Sequence, residues 1–74
     1  MYVEPAEVTF IRNFNRMLKK WKAEGHTYRE LMDRAGLSYT VFYNYRVGRR
    51  TPSLQSISRM AEVFNIPTEM FFRR

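Results

Sequence analysis

Apolar side chains return at intervals of three and four from Phe10 onward, at Phe14, Met17, Leu18 and Trp21. That spacing lines them along one stripe of an α-helix and predicts a first helix from Pro5 to about Glu24, ended by Gly25. Proline suits a first helical position, because the N–H it lacks would have no partner there. A second start follows at once. Thr27 and Glu30 form a T-x-x-E capping box, with His26 and Leu31 placed to make the flanking apolar contact, and a short helix is expected over about 28–35. Gly36 supplies the left-handed residue that closes it, and Ser38 caps a third helix over about 39–47, which Gly48 ends. A basic loop, Arg49-Arg50-Thr51-Pro52, leads to Ser53, the cap of a fourth helix with Leu54, Ile57, Met60, Ala61 and Phe64 on its apolar side. After Asn65 the run IPTEMFF reads as a last short helix with Pro67 in its first turn. No stretch alternates as a strand would, so an all-α, compact five-helix domain spanning residues 1–74 is expected.

Composition narrows the partners. Thirteen Lys and Arg against seven Asp and Glu leave a net charge of +6, a field that favours polyanions. There is no cysteine and only one histidine, His26, so neither a disulfide nor a dedicated metal cage is expected, and no cofactor. Hydrophobic content of 45% with 16% aromatic residues must then hold the fold by packing alone. No apolar run approaches the roughly 20 residues of a bilayer span, and MYVEPAEV lacks the basic-then-apolar order of a signal peptide. A soluble cytoplasmic protein is the expectation. Without a nucleophile–base pair, a carboxylate cleft or a Gly-rich phosphate loop, neither an enzyme nor a small-molecule substrate is expected.

The second and third helices, joined by a glycine-containing turn, make a helix-turn-helix over about 27–47. In an ungapped register over about 27–66 stand Thr27, Glu30 and Leu31, then Ala35-Gly36-Leu37-Ser38, then Gly48-Arg49-Arg50-Thr51-Pro52-Ser53-Leu54, and last Ala61 with Asn65-Ile66. In these the chain resembles the lambda-repressor and Cro (Xre-type) helix-turn-helix family. The resemblance implies a five-helix DNA-binding domain acting as a transcriptional regulator, most often a repressor, as a homodimer on a palindromic site. It also implies backbone contact at the start of the second helix, here Thr27 and Tyr28, and contact with phosphate or a reach toward the minor groove by the loop arginines, here Arg49 and Arg50. The chain departs from the family in carrying Met32 where a small residue is usual, Tyr28 and Tyr39 where glutamine is frequent, and Arg46 where an acid is common.

Successive residues of a helix turn by about 100°, which sends Leu37, Val41, Phe42 and Tyr45 to one side of the third helix and Tyr39, Thr40, Tyr43 and Asn44 to the other. Phe42 and Tyr45 are expected in the core. On the outer side a tyrosine can bond phosphate or a base edge, Thr40 can meet a phosphate or a thymine methyl, and Asn44 has the amide geometry for adenine N6 and N7. The helix start at Ser38 offers free N–H groups to a phosphate. Arg46 is expected to flank this surface or to pair with Glu30 or Asp33. The cations Arg16, Lys19, Lys20 and Lys22 read as the wet face of the first helix. Met70, Phe71 and Phe72 cannot all point inward from one short helix; they form the candidate dimer seam, or else cap the core beside Trp21. Double-stranded DNA is the expected partner. The other class that fits the composition is a protein-interaction module, an antirepressor or antitoxin on the same scaffold; an RNA-binding module would need an aromatic sheet or a GXXG loop that is missing.

Overall fold

Four α-helices and one 3-10 helix account for the described chain, residues 3–74 of a computed structural model: α1 Ala6–Ala23, α2 Tyr28–Ala35, α3 Tyr39–Val47, α4 Leu54–Phe64, then the 3-10 segment Thr68–Phe72. Met1 and Tyr2, which begin the stretch read above for a targeting pattern, lie outside the described residues. No strand occurs among the described residues, and no helix there is long and apolar enough to cross a membrane.

Local chemistry sets the boundaries. The side chains of Thr27, Ser38 and Ser53 each accept the backbone N–H three residues on, from Glu30, Val41 and Ser56 at 3.1, 3.2 and 3.1 Å. A cap of this kind is worth about 1 kcal/mol. Gly36 and Gly48 close α2 and α3 at φ of 69° and 81°, where a side chain is strained.

Three expectations are corrected here. Pro5 precedes the first helical residue: its ψ of 146° is extended, and its carbonyl accepts from Val8 and Thr9 at 3.1 and 3.2 Å, so α1 begins at Ala6 and ends at Ala23, with Glu24 beyond it. The expected fifth α-helix is a five-residue 3-10 turn, Thr68–Phe72, too short to close α-type bonds after the extended Pro67. The reciprocal half of the capping box is replaced, because the Glu30 carboxylate lies 3.1 Å from His26 Nδ1 and 3.6 Å from Arg34. His26 itself stacks on Trp21, 3.9 Å between ring centres and 17° from parallel, so its flat partner is the indole.

The core runs lengthwise through α1. Phe10, Phe14, Leu18 and Trp21 are buried from that helix, Leu31 and Ala35 from α2, Phe42 and Tyr45 from α3, Ile57, Met60 and Ala61 from α4. Phe71 seals the carboxyl end, with its ring 5.4 Å from Phe10, 6.5 Å from Phe14 and 6.2 Å from Phe64. Aromatic pairs of this sort add about 0.5–1.5 kcal/mol beyond their area. Two polar side chains bind the layers. Asn13 is buried and donates to the carbonyls of Phe71 and Arg73 at 2.9 and 2.7 Å, which ties the 3-10 turn to α1. Asn15 donates to the carbonyl of Arg46 at 3.1 Å, which ties the last turn of α3 to α1. At the amino end Glu4 accepts from the Thr9 hydroxyl and pairs with Arg12 at 2.5 Å. The Thr9 hydrogen bond, then the Arg12 guanidinium, hold its carboxyl below the usual carboxylate range.

Candidate nucleic-acid interface

α3 has one face that the core needs and one that it does not. Phe42 and Tyr45 are 2% and 3% exposed, with the Tyr45 hydroxyl donating to Ser56 at 3.3 Å. Leu37 and Val41 are half-buried beside them. On the other side Tyr39 is 71% exposed and Tyr43 42%, and Thr40 is exposed between them. One turn apart, the two tyrosine rings lie nearly parallel, 13° between planes with centroids 6.5 Å apart. Their hydroxyls bond no other described residue. Asn44 is half-buried, and its carboxamide bonds no other described residue. Val47 is 47% exposed and falls four residues after Tyr43, on the same stripe. Sequence reasoning passed over it, although the series 39, 43, 47 was visible.

The loop after α3 is held by one oxygen. The Asn44 carbonyl accepts the N–H groups of Gly48, of Arg49 at 2.9 Å and of Arg50 at 3.3 Å. This fold-back starts the Arg49-Arg50 segment against the last turn of α3. Both arginines are exposed, and neither has a carboxylate within ion-pair distance among the described residues. Pro52 is buried, so the loop is pinned at its far end as well.

At the opposite end of the surface, Ser38 is exposed; its hydroxyl oxygen accepts from Val41 in the cap, so it can offer an anion its O–H as well as the backbone N–H groups of the first turn. Thr27 is exposed in the same way at the start of α2. Tyr28 is not a free ring. It is half-buried with its centroid 5.3 Å from Phe42, and carries Lys22 Nζ at 4.5 Å and the Arg46 guanidinium at 4.9 Å. Arg46 therefore pairs with neither acid that the sequence offered it. Glu30 is engaged by His26 and Arg34 and Asp33 by Arg29, whereas the Arg46 plane rests on Tyr28 and Phe42 with its Nε buried and unbonded. Stacking on an aromatic face suits guanidinium, which is weakly hydrated. The cations Lys22 and Arg46 on Tyr28 were missed as a unit because they come from three elements.

The carboxyl-terminal trio divides. Phe71 is fully buried and is withdrawn from the dimer seam, since the core claims its whole ring. Phe72 is 39% exposed with its ring 6.1 Å from Phe10, and Met70 is half-buried. Among the described residues no cluster of His, Asp or Glu is arranged to hold a metal ion. Comparison with protein-family models, curated proteins and solved structures gave no match.

Proposed function

We propose that this chain is a sequence-specific double-stranded-DNA-binding transcriptional regulator, a repressor of the lambda-repressor and Cro type working in the cytoplasm, with no catalytic role. α3 is its groove-reading helix. One observation carries the reading: the outer side of α3 presents Tyr39, Thr40, Tyr43 and an unbonded Asn44 amide to solvent, while its inner side is locked into the core by Phe42 and Tyr45. An α-helix is about 10–12 Å across with its side chains, and a major groove about 12 Å wide accepts it. In this reading Asn44 meets adenine, Thr40 and Val47 meet thymine methyls, and Tyr39 and Tyr43 reach base edges or phosphate. The N–H groups at Thr27 and Ser38 and the side chains of Arg49 and Arg50 take phosphates on either flank. The net charge of +6 supplies long-range attraction. One such module covers half an operator, so a homodimer through Phe72, with half-sites about 34–36 Å apart, completes the proposal.

The test starts from duplexes selected out of a random pool, with affinity measured by anisotropy across a salt series. Asn44→Ala costs about 1–3 kcal/mol and relaxes preference at one base pair; Arg49→Ala weakens all sequences alike and lowers the salt slope by about one. Wild-type affinity in Asn44→Ala removes the base-reading assignment. Failure to select any duplex, together with salt-insensitive capture of a protein, moves the reading to an interaction module. The exposed apolar Val47 and Leu54, 47% and 82% accessible, are what such a module would use.

A further inference from the structure

A cleft of about 330 Å³ opens between the second half of α1, the end of α4 and the 3-10 turn, away from every residue of α2 and α3. Its walls include Met17, Trp21, Phe64, Ile66 and Met70. Two of its polar donors, the Trp21 indole and the Asn13 amide, are already engaged. The Trp21 N–H is donated to the Thr27 carbonyl at 2.8 Å, and the Asn13 amide hydrogens go to Phe71 and Arg73. What remains to a guest is apolar surface, two thioethers and the flank of an indole.

The rim has a different character. Arg16, Lys20, Arg73 and Arg74 stand around it with a single acid, Glu24. Among the described residues none of the four cations lies within ion-pair distance of a carboxylate, because the ion pairs of the chain all lie elsewhere. Arg73 leans on the Met70 sulfur at 3.5 Å and Arg74 reaches the Glu4 carbonyl at 3.0 Å. Arg74 lies close enough to Glu4 to help hold that carboxyl low, so the uncompensated charge at the mouth is that of Arg16, Lys20 and Arg73. An apolar hollow under a cationic mouth complements one class of molecule, an anionic head on an apolar body. The volume is at the small end of the roughly 300–1,000 Å³ of ligand sites, which limits the body to about ten carbons or a pair of fused rings.

The geometry points to a binding site for a small amphipathic carboxylate, its chain against Trp21 and Phe64 and its head between Lys20 and Arg73. This site does not depend on the DNA-binding reading, since no groove-facing residue lines it.

Trp21 is the single tryptophan of the chain and walls the cleft, so its emission reports directly on occupancy. The probe is sodium decanoate, titrated below its micelle concentration into the full chain. A saturable change in Trp21 emission is expected, roughly tenfold weaker for neutral decanol and roughly tenfold weaker for the Lys20→Ala/Arg73→Ala double variant. Unchanged far-ultraviolet ellipticity keeps the variant interpretable, because both side chains are exposed. Equal affinity for decanol and decanoate would overturn the charge assignment. No saturable change, a response only to anionic vesicles, or an emission change produced by raising protein concentration alone would each overturn the site, the last by showing that a second copy fills it. Arg49→Ala binds decanoate as the wild type does, which separates this test from that of the DNA reading.

Discussion

Gly48 closes α3 at φ 81°, and a Cβ placed on it would lie 2.6 Å from Ile11 Cδ1. Two separate costs follow for Gly48→Ala. The left-handed backbone is unfavourable for alanine by about 1–2 kcal/mol. The methyl contact then forces Ile11, half-buried on α1, about 1 Å aside, and an off-rotamer turn of its end costs about 0.5–1.5 kcal/mol. Alanine's smaller unfolded-state entropy returns about 0.4–1 kcal/mol, for a net loss of about 0.5–3 kcal/mol. Gly36→Ala is the control. It shares the left-handed backbone, at φ 69°, but its Cβ meets only the Arg59 guanidinium at an ordinary 3.7 Å, so it carries the first cost without the second. Urea unfolding followed by circular dichroism measures both variants. Ile11→Val removes Cδ1, and in that background Gly48→Ala falls to the Gly36→Ala value, a coupling of about 1 kcal/mol. Equal losses at the two glycines, with no coupling to Ile11, refute the close approach of α1 to the end of α3.

Asn13→Ala leaves the buried Phe71 carbonyl without its 2.9 Å donor and lowers unfolding free energy by about 2–3 kcal/mol in the same urea assay. Asn13→Asp is worse at neutral pH, since a carboxylate would face two carbonyl oxygens, and recovers partly in acid as it protonates. An NMR titration is expected to place the Glu4 carboxyl below the usual carboxylate range, with Thr9→Val and Arg12→Ala each raising its midpoint. Because the folded value is the depressed one, Glu4 stabilises the fold above the usual carboxylate range and loses that contribution as pH falls through the folded value; a midpoint unmoved by Thr9→Val contradicts the assigned cause. Phe72→Asp abolishes self-association in sedimentation and also lowers the melting temperature through loss of the ring's packing on Phe10; a wild-type chain that stays monomeric on its selected duplex removes the Phe72 seam.

Helix ends were legible in the sequence because their causes are local. Thr27, Ser38 and Ser53 each act on a backbone N–H three residues away, and Gly36 and Gly48 act on their own φ. The two sides of α3 were legible for a related reason, since a period of 3.6 converts order along the chain directly into direction. Contacts between elements were not. Arg46 had Glu30 and Asp33 of the preceding helix as candidate partners, but finds Tyr28 and Phe42 instead, an outcome set by how α2 and α3 meet. Nothing along the chain announced that Asn13 would bond carbonyls 58 and 60 residues away. The 3-10 turn escaped because five residues after a proline carry no helical period to read, and its geometry answers to Phe71 filling the space between α1 and α4.

The carbonyl of Asn44, which gathers three successive amides, has a consequence for how the surface would engage a ligand. The accepting oxygen belongs to the main chain, so trimming the Asn44 carboxamide leaves the arginine segment anchored. With the start of that segment already ordered in the free protein, less chain entropy is lost when it closes on an anion. Slow amide hydrogen exchange at Arg49 and Arg50, in a loop that otherwise faces water, is the signature of that preorganisation.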